Sequence, residues 1–493
     1  GTYWAAQPEI PKDRVVVRSL SAVPIARRIA EGRPIVWWKS AELPFDDFPG
    51  VHVVEGPCDP WHILSGASAL VGETDRELLL IASLLGVPSY AFDSSSGGAS
   101  LMANSGSDLL QELCRTTFVN PFTNEEIDAL QAAEFCGFWR QLIDSNRGIV
   151  GGLGFAFWKQ AHVATLLWDG SAPFRFFRGA DGVEAGMPLA AWRSKISPGI
   201  LSKVERKGCK IIEVEDGFLR SRGLGADCIP PLSITVDRLG AHFDPSQPSE
   251  LESLIEHGHF EEAIIERARQ LRRLIIDTGV GKYGGGTVSL ERPAGTRRHI
   301  LVPGQVEDDR AVEAGGCGLT SNLELLTRVR AEAADAYILY KPHPDVVAGH
   351  RRGAISREAC LHFADEIVGD LPIGSLIGMV DEVHVNSSLA GFEALLREKR
   401  VTTHGVPFYA GWGLTSDLGP VPKRRTAKRT IDELVVATLL LYPRYLDPRS
   451  GLPCPPEIIV ARLSNPDQAR AELLVGVRRL QGKLMRRLRS LVQ

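Results

Sequence analysis

The stretch Glu213-Val214-Glu215-Asp216-Gly217-Phe218-Leu219-Arg220-Ser221-Arg222-Gly223-Leu224-Gly225-Ala226 ends an apolar run with two adjacent carboxylates and a glycine, and sets two arginines just beyond. A strand finishing here puts Glu215 and Asp216 at the carboxyl rim of a sheet, where open α/β sheets collect their ligands. Neighbouring strand residues point to opposite faces, so one of the pair faces a shared cleft, and Asp216 is the choice. Gly217 then relieves the turn, and Arg220 and Arg222 have the bidentate geometry that holds a carboxylate or phosphate. An isolated Glu-Asp-Gly is more often a solvated turn with surface ion pairs. The company it keeps elsewhere in the chain decides the matter.

Working outward, 493 residues are enough for about three domains with separate cores. The net charge of -4 provides no global field for nucleic acid, and no nucleic-acid partner is expected. Eight cysteines are scattered without a Cys-x-x-Cys pair or a nearby histidine partner, which points away from zinc and from a disulfide framework and toward a reducing cytoplasm. No apolar run reaches the roughly 18 residues of a membrane span, and no leader is read at the start.

From Arg14 to Asp93, short β-type runs (34–38, 51–54, 69–71, 89–92) alternate with helical patterns, the mark of a parallel α/β layer. Laying Trp61–Asp93 over Ile373–Gly405, without a gap, aligns strand, apolar helix and strand, so an internal repeat is expected. The later copy reads Asn386-Ser387-Ser388 where the earlier has Glu73-Thr74-Asp75-Arg76 within a residue of that point, and carboxylates there repel a phosphate. Residues 1–130 are therefore expected to be a degenerate Rossmann-like layer kept for packing. Residues 131–285 would form a lobe carrying the Glu-Asp-Gly motif. A glycine-rich break at 284–286 precedes a further α/β unit over 286–445, with strands at 299–302, 336–340 and 382–385 and helices at 319–334 and 389–398. A basic helical tail would occupy 446–493. Two Rossmann-like lobes with a cleft between them make the α/β arrangement GT-B-like, the plan of nucleotide-sugar enzymes, although the same periodicity is shared by other two-lobed α/β proteins.

The remaining chemistry sits at strand ends. Lys341-Pro342-His343-Pro344-Asp345 follows a strand directly, and its prolines stiffen the backbone around His343 as a phosphate site needs. Asn386-Ser387-Ser388 ends a strand and opens a helix, gathering backbone N–H groups and two hydroxyls for an anion, though the same residues are good helix caps. Glu393, just over one turn on, could reach a ribose hydroxyl, and Gln305 a pyrimidine edge or a phosphate. Asp308 and Asp309 lack further ligands nearby, so no metal is expected. Phe155 to Lys159 offers either an aromatic face for a sugar or core packing. The glycine-rich aromatic loop His404–Gly413 either closes over a substrate or plugs the core.

In order and spacing, Glu215-Asp216-Gly217-Phe218-Leu219-Arg220-Ser221, Pro231-Leu232-Ser233, Val302-Pro303-Gly304-Gln305, Lys341-Pro342-His343-Pro344-Asp345, Asn386-Ser387-Ser388 and Ala410-Gly411-Trp412-Gly413 resemble the capsule β-Kdo transferases of the KpsC family across residues 150–450. The acidic pair, His-Pro and Ser-Ser trio is also similar to that of bacterial GT-B sialyltransferases. The resemblance implies CMP-Kdo as donor substrate, no cofactor, a lipid-linked Kdo acceptor, and retention of the β configuration. Asp216 would attack the anomeric carbon, with Glu215 as the rival carboxylate or Asp216 as a base in an inverting route. Lys341, His343, Pro344, Asn386, Ser387, Ser388, Gln305 and Glu393 would form the donor site. Arg220 is favoured over Arg222 and Arg193 for the Kdo carboxylate, and Lys159, Trp192 and Arg193 are placed on the acceptor side. Family members carry two full modules, whereas this chain has one complete motif set, so a single linkage type is expected.

From Arg470 to Gln493, seven basic residues and one acidic residue accompany leucines at helical spacing, a basic amphipathic helix able to rest on an anionic inner membrane or to dock on the protein. A cytoplasmic protein is expected, peripheral on the inner membrane where the helix rests on lipid rather than on the protein. Two other readings stay open: a transferase for another CMP-linked nonulosonic acid, and a noncatalytic scaffold of capsule assembly. The oligomeric state is not legible.

Overall fold

The structure is a computed structural model, and it describes residues 3–39, 49–72, 76–93, 98–101, 115–221, 228–282, 284, 286, 288–293, 295–349, 351–369 and 371–464. The chain divides into two compact units, Gly1–Gly148 with Trp168–Pro173, and Ile149–Leu167 with Phe174–Gln493.

In the first unit, strands β1 (Arg14–Val17), β2 (Ile35–Trp38), β3 (Val51–Val54), β4 (Ala67–Gly72), β5 (Ser89–Asp93) and β6 (Gly98–Leu101) form one sheet in the order β3-β2-β1-β4-β5-β6. All neighbours are parallel except β5 and β6. Its central strand β1 is short and opens with an arginine, and the sequence reading passed over it. Val15 and Val17 face one apolar layer while Val16 faces the other, as burial on both sides of a parallel sheet requires. Arg14 is 4 % exposed because its guanidinium donates to the carbonyls of Pro11, His62, Ile63 and Ser65. After a short hairpin of β7 (Phe118–Val119) and β8 (Glu126–Ile127), a capping box of Asp128 and Gln131 starts the helix Ala129–Asn146. That helix extends the unit past position 130: Trp139 meets Trp4 and Phe135, and Arg140 pairs with buried Asp59 at 2.6 Å.

The second unit holds two sheets. One begins with β9 (Gly151–Leu153), β10 (Arg175–Phe177), β11 (Leu189–Ala191), β12 (Ile211–Asp216) and β13 (Ser233–Asp237). The chain then builds the other from β14 (His299–Pro303), β15 (Tyr337–Lys341), β16 (Glu366–Ile367), β17 (Glu382–Val385), β18 (Arg400–Thr403) and β19 (Ser416–Asp417), before β20 (Pro443–Leu446) and β21 (Pro453–Cys454) return to the first. The orders are β10-β9-β11-β12-β13-β20-β21 and β16-β15-β14-β17-β18-β19. In the former, β9 to β12 are parallel, and β13, β20 and β21 pair antiparallel; the latter is parallel throughout.

Counted from its own first strand, the β14–β19 sheet has the same 3-2-1-4-5-6 order as the N-terminal one, the doubly wound order of nucleotide-binding folds. The repeat is visible in the elements: β4, the helix Arg76–Leu84 and β5 correspond to β17, the helix Leu389–Leu396 and β18. Positions 73–75, where the repeat was expected to lose its anion site, lie outside the described residues. So do Arg222 and the basic segment 470–493.

The expected tail from 446 is partly something else. Tyr445 and Arg444 of β20 pair with Ser233 and Ile234, and the helix Pro456–Ser464 packs on the helix Glu262–Thr278. Residues 443–464 thus complete the β9–β13 sheet, because β13 would otherwise be an unpaired edge. Among the described residues no helix is long and apolar enough to cross a membrane.

Candidate functional site

Strand β12 carries the chemistry. Its Ile212 and Val214 sit in an apolar core with Val163, Leu166, Trp192 and Ile234, and the same face ends in Asp216 as the strand leaves the sheet. Asp216 Oδ1 lies 3.2 Å from Lys159 Nζ, and Oδ2 lies 2.9 Å from Arg220 Nε. Burial alone would raise this carboxyl, but Lys159 and Arg220, joined by Lys282, hold it below the usual carboxylate range. Asp216 is ionised and aimed, with its side chain 27 % exposed.

The opposite face of β12 behaves differently. Glu215 is pushed up to about 8 by burial; Arg310 opposes that rise, and the nearby Asp216 and Glu213 add to it. Arg310 Nη1 stands 3.0 Å from Glu215 and 3.4 Å from Glu213, and so shares itself between them. Two adjacent carboxyl groups are thereby driven apart, Asp216 toward the ionised form and Glu215 toward the protonated one, as happens in acid and base pairs of active sites.

Gly217 is needed for a reason other than the expected turn. A Cβ there would fall within 2.7 Å of the Ser233 Cβ and closer still to its hydroxyl. Ser233 is fully buried, accepts the Gly217 N–H through its carbonyl at 3.0 Å and donates its hydroxyl to the Leu219 carbonyl at 2.6 Å. The Pro231-Leu232-Ser233 motif is the wall against which the Asp216 turn is pressed.

Lys159 is 7 % exposed and comes from the helix Phe157–Leu166. Its ammonium sits 3.1 Å from the Trp192 ring centroid, a cation-π contact. Burial pushes this lysine down to about 8, while Asp216 pulls it upward. Trp192, expected on the acceptor side, is 4 % exposed and belongs to the core, where it also meets Phe155 edge-on at 5.8 Å. Arg193 is more open and pairs with Glu205 at 3.4 Å and Glu213 at 3.3 Å. Arg220 is 1 % exposed; besides Asp216 it donates to the Ser221 hydroxyl at 2.5 Å and the Ile229 carbonyl at 3.1 Å.

The β14–β19 sheet brings its own strand ends. His343 caps the short helix Pro344–Val347: its Nδ1 accepts the Asp345 N–H at 3.1 Å. The neutral ring therefore carries its proton on Nε2, a donor suited to a phosphate oxygen. Burial lowers its basicity, and Lys282 adds to that. Pro344 takes the first helical position, where its missing N–H costs nothing. Lys341 is 8 % exposed, with its ammonium 3.4 Å from the Gly369 carbonyl.

Gln305 and Ser387 lock together: Gln305 Oε1 accepts the Ser387 N–H at 3.0 Å, and its amide donates to the Ser387 hydroxyl at 3.2 Å. Ser388 caps the helix Leu389–Leu396 by accepting the Ala390 N–H at 3.2 Å. Asn386 is 4 % exposed and donates to the Leu319 carbonyl at 2.6 Å, bolting the strand end to the neighbouring loop. Asp308 and Asp309 both face Arg351, and Asp309 also caps the helix Arg310–Gly315. The loop that was open to two readings is core: Tyr409 and Trp412 are fully buried, and Phe408 meets Phe218 at 4.9 Å.

Two cations that bear on the β12 carboxylates escaped the sequence reading. Arg310 followed Asp308 and Asp309, which drew attention as carboxylates. Lys282 is the single basic residue of the glycine-rich stretch 279–286, and that isolation was the available signal.

Fold and site together define an α/β protein in which an ionised aspartate at one strand rim is hemmed by cations, with an arginine from a second, nucleotide-binding type of sheet reaching the adjacent carboxylate. The family model for capsule polysaccharide biosynthesis proteins matches residues 191–284 and 287–445, and the chain belongs to that family as a capsule protein of the KpsC type. It is 35 % identical over 338 residues to the capsule polysaccharide modification protein LipA of Neisseria meningitidis serogroup A, covering 68 % of this chain and 48 % of LipA. It is 48 % identical over 236 residues to the lipopolysaccharide-processing protein LpsZ of Rhizobium meliloti, covering 47 % of this chain and 53 % of LpsZ. The chain spans about half the length of these curated relatives. Two solved structures from Thermosulfurimonas dismutans KpsC are similar: its β Kdo 2,4 transferase (30 % identity, TM-score 0.55) and its β Kdo 2,7 transferase (33 % identity, TM-score 0.52). Each covers 64 % of this chain and 98 % of the solved one.

Proposed function

We propose that this chain is a β-Kdo transferase of capsule polysaccharide biosynthesis, moving Kdo from CMP-Kdo to a lipid-linked Kdo acceptor with retention of configuration. The observation that carries the reading is Asp216, held ionised between Lys159 and Arg220 at the end of β12. The likeness to the two KpsC transferases supports it, and so does the pairing of two α/β sheets in one unit, which suits a GT-B-like enzyme.

In the first step an Asp216 oxygen bonds to the anomeric carbon as the bond to the phosphate breaks, and CMP leaves with the electron pair. His343 Nε2–H and the helix starting after Ser388 stabilise the charge growing on that phosphate. In the second step the acceptor hydroxyl attacks the same carbon, gives its proton to water and releases Asp216. Burial raises the Glu215 carboxyl and its side chain is tied to Arg310, which leaves the nucleophile's role to its neighbour. A lipid-linked acceptor would place the protein on the cytoplasmic face of the inner membrane, which liposome binding with and without 470–493 would test.

The decisive experiment supplies CMP-Kdo and a short Kdo-lipid analogue, follows the product by NMR, and searches peptides for a Kdo adduct. Expected are one linkage type, β configuration, and an adduct that peptide fragmentation places on Asp216 rather than on Glu215. An inverted product or an adduct on Glu215 would overturn the mechanism. Turnover of a different CMP-linked nonulosonic acid in place of CMP-Kdo would overturn the donor, and no turnover of either would favour the scaffold.

A further inference from the structure

The helix Arg310–Gly315 is attached to both sheets of the second unit. On one side Arg310 reaches β12: its Nη1 stands 3.0 Å from Glu215 Oε1 and 3.4 Å from Glu213 Oε2, and its guanidinium lies 5.2 Å from the ring centroid of Phe243, in the loop after β13. The other end of the helix meets the same loop, since a Cβ on Gly315 would stand 3.0 Å from the Phe243 carbonyl oxygen. Toward the β14–β19 sheet, the Ala311 carbonyl accepts the Ser387 hydroxyl at 3.0 Å and the Gly315 carbonyl accepts the Val406 N–H at 2.7 Å. Ser387 and Val406 follow β17 and β18, and Ser387 is the residue locked to Gln305.

The two attachments differ in kind. Those to Ser387 and Val406 run through helix carbonyls and do not depend on the side chain at 310. The attachment to β12 runs through one guanidinium, whose planar, multiply donating end can serve two carboxylates and lie against an aromatic ring at once. Glu213 and Glu215 are two apart on the strand and share a face, with Asp216 on the other. Arg310 therefore grips the strand that carries Asp216 without touching Asp216. Glu213 is 7 % exposed and is also held by Arg193 at 3.3 Å, so its end of the grip is fixed from a second side. A misplacement of about 1 Å that originates away from the chemistry costs roughly 100-fold in rate, and a joint between two sheets is where such a misplacement arises.

We propose that Arg310 is a positioning residue: by clamping the helix Arg310–Gly315 to the back of β12, it sets Asp216 against the Gln305–Ser387 end of the nucleotide side. The kinetic consequence rests on the transferase reading above, whereas the clamp is a property of the free protein.

Hydrogen–deuterium exchange of the full chain without substrate reads the clamp, and Kdo transfer reads its consequence. In R310M the amides of 310–316 should exchange roughly tenfold faster, the factor for one lost hydrogen bond to a charged group, while peptides from β14 and β15 keep the wild-type rate, as a local opening requires. The kcat should fall roughly 100-fold with KM for CMP-Kdo within roughly threefold, the split of an interaction that counts in the transition state and not in ground-state binding. R310K, whose ammonium is a point charge without the planar fork, should lie between R310M and wild type in both readouts. Guanidinium ion at a non-denaturing concentration should not restore R310A, because the free ion replaces the charge but not the tether. Unchanged exchange of 310–316 in R310M, faster exchange everywhere alike, an unchanged kcat, a loss expressed in KM, or rescue of R310A by guanidinium would overturn the proposal. R310Q, for which the same results are expected, serves if R310M fails to fold. A wild type that transfers no Kdo sinks the transferase reading, while the exchange measurement still decides the clamp.

Discussion

Replacing Glu215 by glutamine separates the two carboxylates by both stability and activity. The Glu215 carboxyl sits at about 8 in the folded chain against an ordinary value near 4.3, so between those pH values the folded state keeps a proton that the unfolded state has lost. Stability therefore falls as pH rises through that window. A shift of nearly four units corresponds to about 5 kcal/mol at 1.36 kcal/mol per unit. The Glu215 side chain is 19 % exposed, so solvent screening reduces this, and about 2 to 4 kcal/mol is the expected loss. Glutamine copies the protonated acid and cannot ionise. Urea unfolding of wild type and Glu215→Gln at intervals from pH 5 to pH 9 should give curves that coincide in the acid range and separate by that amount above pH 8, with the variant more stable. At pH 7 the variant should keep transfer activity within about tenfold. Parallel stability profiles across the whole range would refute the electrostatic argument, and a thousandfold loss of transfer at pH 7 would make Glu215 the reactive group.

Other expectations follow from the same geometry. Lys159 is pushed down to about 8, so its burial costs about 3 kcal/mol below that pH and is relieved as pH rises toward 10.5; Lys159→Met should leave unfolding free energy at pH 7 within about 1 kcal/mol, because Asp216 loses a partner at the same time, yet cut kcat/KM about 100-fold. Gly217→Ala drives a methyl into Ser233 and should cost about 1 to 3 kcal/mol in denaturant unfolding; an unchanged midpoint would remove the close-approach argument. His343→Ala should lower kcat by about 100-fold with little change in KM, and steady-state kinetics showing the reverse split would place His343 in ground-state binding.

In the β14–β19 sheet, β14 and β15 were legible because they are mostly apolar runs ending in punctuating residues, and β17 fell where expected; β16 and β19, two residues each and partly polar, carry no such pattern. The repeat was legible for the same reason, since β-α-β spacing survives after chemistry has diverged. Strand β1 was not, because four residues opening with a buried arginine look like no strand until Ile63 and Ser65 are there to receive the guanidinium. Strand β20 was missed because its partner β13 lies more than two hundred residues back, and local pattern has no access to such pairing. Trp192, Asn386 and the Phe408–Trp412 loop carry residue types common in binding sites, and only packing showed them turned inward.

By itself the sequence determined the alternation of strands and helices, the strand ends where polar groups gather, and the ordered motifs that mark the capsule family, all of which depend on spacing along the chain. The tertiary structure decided which carboxyl group is pushed up and which is held down, which cations face Asp216, and how Arg310 divides itself between Glu213 and Glu215. Those properties arise from distance and dielectric in space: Lys159 meets Asp216 across 57 positions of sequence, and the same burial that raises Glu215 is overcome at Asp216 only because two cations lie within 3.2 Å.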